Sequence, residues 1–270
     1  MQRKGLATKD GMVFYWVSDQ WDAGRRTIFF LHGLTADHTM FDQQFPYFES
    51  DYNLVAWDSP GHGQSKPFGE FTMDKAFEII KAILAESHVE TFIAVGQSFG
   101  GYVIQAVLSR EPNLVTAFVG IGTTPYGSRY YSKSDYFMLR NIGWITKTMP
   151  FGWLKKNTAK RVSVTTRGHE NMLQMLQPYT KAEYANLLRD YYRAFMQDNQ
   201  DLDIGCPILI TRGEADTVGN VDKYIDAWHE QTGHRLEIIK DAGHNANVDN
   251  PKVTNTLIAE FLDASLGTAR

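Results

Sequence analysis

Short apolar segments alternate with amphipathic helical segments along most of this chain, and this alternation constrains the fold most strongly. Segments such as TIFFLHGL (27–34) and TFIAVG (91–96) are almost continuously apolar. Strands with two apolar faces belong in a parallel sheet that helices cover on both sides. We therefore predict an α/β fold with a mostly parallel central sheet and helices on both faces. The predicted strand and loop segments are 27–34, 53–65, 91–96, 114–122, 206–216 and 235–244, and the predicted helices are 73–88, 98–110, 221–233 and 252–266.

Residues 124–200 interrupt this alternation. They are helix-like, aromatic and basic, with Gly143, Pro150 and Gly152 as breaks. We interpret them as a helical cap, inserted into a core domain formed by residues 1–123 and 201–270. The ends of the predicted strands would then lie along one edge of the sheet, where open α/β sheets bind ligands.

Composition indicates a soluble globular protein. Of the 270 residues, 43% are hydrophobic and 21% are charged. No apolar run approaches the roughly 18 residues of a membrane span, and the first residues lack the pattern of a secretory signal. The single cysteine, Cys206, excludes an internal disulfide. We expect a cytoplasmic monomer or homodimer without stable membrane insertion, and the net charge of −4 gives no indication of a nucleic-acid partner.

The segment GQSFG (96–100) predicts a catalytic serine. Three fixed residues are a weak signal alone, but here a strand precedes them and a helix follows, as a nucleophile elbow requires. Gly96 and Gly100 allow a tight turn where a Cβ would clash. The helix start adds free N–H groups and positive potential beside Ser98. The alternative is an incidental glycine-rich turn.

Eight histidines are candidates for the base that activates Ser98. We favour His244, which follows a late predicted strand in DAGHN and so lies at the ligand-binding edge. His32 and His62 lie in glycine-rich turns and are predicted to be structural. No histidine has metal-ligand spacing, so we predict neither a catalytic metal nor another cofactor. The remaining histidines are predicted to be exposed: His38, His88, His169, His229 and His234.

Asp216 is the predicted acid that orients His244. It ends RGEAD, directly after a predicted strand, while Asp203, Asp222 and Asp241 are its competitors. The oxyanion formed during acyl transfer needs preorganised donors. We expect these to be the backbone N–H groups of Leu34 and Phe99.

Together, these motifs resemble the α/β-hydrolase superfamily, particularly its capped esterases and lipases of the non-haem haloperoxidase and meta-cleavage-product hydrolase kind. The resemblance covers residues 11–123 and 201–268 and implies the chain order Ser98, Asp216, His244. Gln97 departs from the more frequent histidine before the nucleophile. The motifs that carry the resemblance are LHGL (31–34), WDSPGHGQS (57–65), GQSFGG (96–101), GEAD (213–216) and AGHN (242–245).

Related enzyme classes fit less well. Epoxide hydrolases and haloalkane dehalogenases have a similar layout but use an aspartate nucleophile, whereas this chain has Ser98. A dinucleotide site is disfavoured because GIGTTP (120–125) has Pro125 where the third glycine belongs.

Aromatic residues of the predicted cap are candidates for an apolar acyl or aryl pocket. We select Tyr126 and Trp144 from the cap, and Val218 from the loop after Asp216, as candidate substrate-binding residues. The alternative is that such aromatics form the cap's own core. Residues 125–168 carry nine Lys or Arg and one Asp. These charges could form solvated helix faces, attract an anionic substrate, or contact an anionic membrane or interface.

These inferences predict a serine hydrolase of the carboxylesterase or lipase type, which cleaves a small-molecule carboxylic ester of unspecified acyl chain length through an acyl-enzyme. A thioesterase, a lactonase, a C–C bond hydrolase or a perhydrolase side activity would use the same triad. A ligand receptor with slow turnover is the alternative outside enzymes.

Overall fold

A single eight-stranded sheet organises residues 1–268, the part of the chain that the computed structural model describes. Its strands are β1 (Gln2–Thr8), β2 (Gly11–Val17), β3 (Thr27–Leu31), β4 (Asn53–Trp57), β5 (Phe92–Gln97), β6 (Val115–Ile121), β7 (Ile208–Gly213) and β8 (Arg235–Ile239). The spatial order is β1-β2-β4-β3-β5-β6-β7-β8. The first two neighbouring pairs, β1–β2 and β2–β4, are antiparallel, and the five later pairs are parallel. The predicted α/β fold class is confirmed.

Within residues 1–268, ten α-helices connect and cover these strands. They are α1 (Phe45–Phe48), α2 (Met73–Glu86), α3 (Phe99–Arg110), α4 (Lys133–Thr148), α5 (Phe151–Val162), α6 (Thr166–Leu176), α7 (Lys181–Asp198), α8 (Val221–Thr232), α9 (Ala246–Asp249) and α10 (Pro251–Leu266). Thr72 caps α2 through its hydroxyl, and α8 ends at Gly233, whose φ of +71° suits glycine. These capping signals explain why the observed helix boundaries agree closely with those predicted from the sequence.

The core lies on the central strands. Every residue of β3, β4 and β5 is buried, as the uninterrupted apolar pattern predicts. The Phe29 ring on β3 contacts the Trp57 ring on β4 and the Phe92 ring on β5. Burial of such rings contributes much of the stability of a domain. The core thereby fixes the carboxyl ends of these strands, from which the loops of the candidate site extend.

The β1–β2 hairpin was not predicted. β1 pairs with β2 over its whole length, yet most of its residues are exposed. Its sequence QRKGLAT carries little of the β-branched and aromatic content that indicates a strand. The strand forms because β2 offers an unpaired edge. This pairing depends on the tertiary fold and cannot be predicted from the sequence of residues 2–8 alone.

Residues 124–200, here called the insertion, connect β6 to β7 and contain helices α4 to α7. α4 packs against α7, and α5 packs against α6. Gly143 permits the close approach of α4 to α7, because a Cβ there would lie 2.8 Å from the Ala185 carbonyl oxygen. Among all helices in residues 1–268, none has the length and apolarity to cross a membrane.

Candidate active site

Ser98 occupies a strained turn between β5 and α3. Its φ and ψ are +49° and −117°, a region that residues with a Cβ rarely adopt. The Ser98 N–H donates a 2.9 Å hydrogen bond to the carbonyl of Ile121 on β6. A Cβ on Gly100 would overlap the carbonyl oxygen of Leu31, so the start of α3 lies directly against the end of β3. Backbone strain of this kind concentrates at functional sites, and a sharp turn from strand to helix is the context that the predicted nucleophile elbow requires.

His244 and Asp216 form a buried pair at the same edge of the sheet. The His244 Nδ1 lies 2.8 Å from Asp216 Oδ2, and the Asp216 side chain is 0% exposed. The other oxygen of Asp216 accepts a 3.0 Å hydrogen bond from the Val218 N–H. The competing acids Asp203, Asp222 and Asp241 are all exposed. A carboxylate on Nδ1 places the second imidazole nitrogen, Nε2, where it is available to act as a base.

Gly122 closes the space beside this pair. Its φ is +56°, and a Cβ there would lie 3.1 Å from His244 Nδ1 and 3.3 Å from Asp216 Oδ2. A larger residue would therefore crowd the imidazole and the carboxylate together. Position 122 requires glycine for both its conformation and this close approach.

One cavity of about 280 Å³ brings Ser98 and His244 together. Phe99, Gly122 and Val218 line it from the core, and α4 contributes Asp135, Met138 and Leu139. Asp135 is the one Asp or Glu in the described lining, which includes neither lysine nor arginine. The basic residues of the insertion thus point away from the cavity, which is unsuited to attracting an anion.

Four tyrosines also line this cavity: Tyr102, Tyr131, Tyr192 and Tyr224. The hydroxyls of Tyr102 and Tyr131 each lie 2.6 Å from Thr124 Oγ1. Burial raises the pKa of Tyr102 and, more strongly, that of Tyr131, so both phenols remain neutral. The wall therefore offers aromatic surface and neutral hydrogen-bonding groups.

A larger hollow of about 640 Å³ lies at the opposite edge of the sheet. It is lined by Thr27, Asn53 and Phe92, at the amino ends of β3, β4 and β5. Open α/β sheets bind their ligands beyond the carboxyl ends of the strands. The smaller cavity beside Ser98 is therefore the candidate active site.

The two predicted oxyanion donors lie on either side of Ser98. Phe99 follows it in α3 and lines the cavity. Leu34 follows Gly33, where a Cβ would lie 3.1 Å from Ser98 Cβ. Within residues 1–268, the Leu34 N–H has no backbone carbonyl partner. This N–H thus lies next to Ser98 without a backbone partner, although the Gly33 carbonyl beside it accepts a 3.2 Å hydrogen bond from the Ala36 N–H.

Of the three predicted substrate-binding residues, Val218 lies at the cavity wall and the other two lie elsewhere. Tyr126 is buried, with its hydroxyl donating a 2.6 Å hydrogen bond to Asp198. Trp144 is 70% exposed on the outer side of α4. Proximity in sequence to a strand end, which suggested Tyr126, does not determine the direction of a side chain. These two positions are corrected accordingly.

His32 and His62 are structural, as predicted. His32 Nδ1 lies 2.8 Å from the Gly33 carbonyl oxygen, and its Nε2 accepts a 2.9 Å hydrogen bond from the Ser59 N–H. Burial lowers the pKa of both histidines, so they are neutral in the fold. His32 thereby connects the loop before Leu34 to the loop after β4.

The prediction that His38 is exposed was wrong. Its ring stacks on Trp16 at 3.4 Å, and its Nδ1 lies 2.7 Å from Asp58. Asp37, His38 and Asp58 bring three possible metal ligands within 4.8 Å of one another. The Asp58 oxygens already accept hydrogen bonds from the backbone N–H groups of His38 and Gln64. The arrangement is thus explained by protein hydrogen bonding alone.

Asp249 fixes the His244 loop and was missed in the sequence analysis. Its carboxylate accepts hydrogen bonds from the N–H groups of Gly243, Val164 and Thr165 at 2.9, 3.0 and 3.1 Å, and from the Thr165 hydroxyl at 2.6 Å. The carbonyl of Val162 accepts a 2.7 Å bond from the Asn245 N–H. The sequence did contain a signal for this role, because Asp249 begins the motif DNP (249–251), which lies shortly after AGHN (242–245).

Gln97 supports the same loop from β5. Its side-chain amide donates to the His244 carbonyl and to Asn245 Oδ1, both at 3.2 Å. The residue before Ser98 therefore connects β5 to the loop that carries His244. This contact gives a structural role to the position at which the chain departs from the frequent histidine.

Replacing Asp249 with alanine should both destabilise the fold and lower kcat for the predicted ester hydrolysis. Four donors would lose a charged acceptor, and hydrogen bonds to charged groups contribute about 1.5–3 kcal/mol each without being additive. We expect a loss of about 3 kcal/mol in the free energy of unfolding, measured by urea denaturation, and a lower kcat from the loosened His244 loop.

Asp263→Ala is the matched control, because Asp263 is an exposed acid on α10. It should change neither quantity. Wild-type kcat in Asp249→Ala, at a temperature where that variant is fully folded, would contradict a role in positioning His244.

This chain is similar to known proteins in both sequence and structure. Residues 26–142 match the family model described as the alpha/beta hydrolase fold. A thermophilic esterase from Thermogutta terrifontis superposes with a TM-score of 0.79 at 18% identity, covering 98% of this chain and 99% of that one.

The chain has the α/β-hydrolase fold.

Other relatives of this α/β hydrolase extend over nearly its whole length. The uncharacterised hydrolase YugF of Bacillus subtilis is 22% identical over 267 residues, covering 94% of this chain and 96% of its own. The 3-oxoadipate enol-lactonase 1 of Acinetobacter baylyi is 25% identical over 246 residues, covering 87% and 88%. The similarity thus spans the core strands and the insertion alike.

Proposed function

We propose that this α/β hydrolase cleaves small, neutral carboxylic esters through an acyl-enzyme on Ser98. The observation that carries the proposal is the buried His244–Asp216 pair, which shares one cavity with a serine on a strained turn. A serine hydroxyl becomes an effective nucleophile only when an adjacent base removes its proton. The similarity to an esterase and to an enol-lactonase supports this reaction type.

In the first half-reaction, Ser98 Oγ attacks the ester carbonyl carbon while His244 Nε2 takes the hydroxyl proton. Asp216 holds Nδ1 and stabilises the imidazolium. The carbonyl oxygen becomes an oxyanion, which accepts hydrogen bonds from the N–H groups of Leu34 and Phe99. Each such donor contributes about 2.7–4 kcal/mol to transition-state stabilisation. His244 then protonates the leaving alcohol as the carbon–oxygen bond breaks.

In the second half-reaction, water attacks the acyl-enzyme carbonyl. His244 accepts a proton from that water, and the new tetrahedral intermediate collapses to release the carboxylic acid. The same proton returns to Ser98 Oγ, which restores the resting enzyme. No step requires a cofactor, because both halves use the same base and the same oxyanion donors.

The insertion is proposed to act as a cap that selects the substrate. α4 contributes Asp135, Met138 and Leu139 to the cavity, and α7 contributes Tyr192. A wall of aromatic rings with one carboxylate favours an uncharged acyl group over an anionic one. A lactone, which is a cyclic ester, would undergo the same steps, and the enol-lactonase similarity makes it the second candidate.

Initial hydrolysis rates of p-nitrophenyl acetate, butyrate, octanoate and palmitate would test the proposal, with γ-butyrolactone measured in parallel. A cavity of about 280 Å³ should accept butyrate and reject palmitate. We expect sustained turnover of the shorter esters. A stoichiometric burst without turnover would instead indicate a ligand receptor, and lactone cleavage without ester cleavage would favour the second candidate.

A further inference from the structure

The outer face of α4 carries a continuous stripe of cations and aromatic rings. Lys133, Phe137, Arg140, Trp144 and Lys147 are spaced by four, three, four and three residues, which places them along one side of a helix. All five are exposed, with Phe137 at 66% and Trp144 at 70%. Large apolar side chains exposed together on a helix indicate a surface that meets a partner.

A different side of the same helix, beginning at the flank of the stripe, is buried. Gly143 and Thr146 are the buried residues of α4, and α4 packs on α7. The helix's single acid, Asp135, lines the cavity. The stripe therefore contains no carboxylate, and its three cations lie beside the two rings with nothing on the helix to neutralise them.

From this pattern we infer that the stripe binds the surface of an anionic lipid bilayer. Helices that lie in a membrane interface combine Lys and Arg with Trp and Phe, because the rings enter the acyl boundary while the cations meet anionic headgroups. Complementarity of charge supports this partner, since residues 125–168 carry a net +8 in a chain of net −4. The long stems of Lys and Arg allow their charges to reach headgroups on either side of the rings.

The stripe lies next to the candidate active site. Met138 follows Phe137, is 51% exposed and also lines the cavity. A bilayer against the stripe would therefore lie next to a wall of the cavity. Binding to the bilayer does not depend on the proposed ester chemistry, and the two can be tested separately.

Sedimentation with vesicles of phosphatidylcholine alone, and of phosphatidylcholine mixed with phosphatidylglycerol, tests this inference. We expect the protein to sediment with the anionic vesicles only and to be released by high salt. Each cation near an anionic surface contributes roughly a fivefold change in partitioning. The triple variant Lys133→Gln, Arg140→Gln, Lys147→Gln should therefore lose roughly a hundredfold in partitioning.

Two further variants separate lipid binding from general charge and from folding. Phe137→Ala combined with Trp144→Ala should abolish sedimentation at unchanged melting temperature, because neither side chain is buried. The charge control is Lys4→Gln, Lys9→Gln, Lys252→Gln, three exposed lysines outside the insertion. It should sediment like the wild type.

Three results would overturn the inference. They are no sedimentation of the wild type with anionic vesicles, equal sedimentation of the stripe variants, and equal loss in the lysine control. A wild-type dimer that the Phe137 and Trp144 double variant dissociates, seen by sedimentation velocity in the absence of vesicle binding, would assign the stripe to a second copy of the chain.

Discussion

Ser98→Ala is expected to reduce kcat for p-nitrophenyl butyrate by roughly 10⁶-fold, the loss typical of removing a serine nucleophile whose base and acid remain. The alanine lacks the Oγ that forms the acyl-enzyme, so only water could attack the bound ester. Residual catalysis from the oxyanion donors and from binding would persist, at roughly 10³–10⁴ times the rate in water.

The measurement combines steady-state rates with mass spectrometry after reaction with a fluorophosphonate. The wild type should gain one adduct on the peptide that contains Ser98, and the variant should gain none. Ser109→Ala is a suitable control, because Ser109 lies on the same helix with its hydroxyl bonded to the Ala106 carbonyl. Undiminished turnover in Ser98→Ala would refute the proposed nucleophile.

Asp216→Asn has the second largest expected effect, a loss of about 10⁴ in kcat with the fold preserved. Asparagine fits the same space and can still accept the hydrogen bond from Val218. Its amide would donate to His244 Nδ1, where the carboxylate accepts, so the imidazole proton would move to Nε2. His244 could then no longer accept a proton from Ser98.

Asp222→Asn is the matched control for this prediction. Asp222 was a competing candidate and lies exposed in the first turn of α8, where its charge favours the helix dipole. Its loss should cost a few tenths of a kcal/mol in stability and leave kcat unchanged. If Asp222→Asn lost more activity than Asp216→Asn, the acid would have been misassigned.

The sequence predicted the parallel strands β3 to β6 because they are apolar on both faces, a local property that the sequence pattern reports directly. It also placed Asp216 next to His244, since both follow neighbouring strands β7 and β8 at one edge. It did not predict β1, which depends on a neighbouring strand edge. It missed the burial of His38, whose partner Asp58 lies 20 residues away.

Side-chain direction was the least predictable property of the candidate site. Trp144 and Met138 share α4, yet the first faces outward and the second lines the cavity. The helical repeat fixes the angle between two residues around the helix axis. It does not determine which side of the helix faces the neighbouring helix. Contacts such as that of Gly143 with Ala185 fix this rotation, and they depend on residues more than 40 positions apart.

The bonds of the insertion to the His244 loop bear on how this chain can be engineered. Asn245 donates to Val162, and Asp249 binds Val164 and Thr165, so the loop of the proposed base obtains part of its backbone pairing from the insertion. The insertion is therefore not an exchangeable module. A chimaera carrying a foreign segment between β6 and β7 would need to supply a carbonyl and two N–H groups at these same points. Grafting guided by helix length or cavity shape alone would leave the His244 loop without its partners.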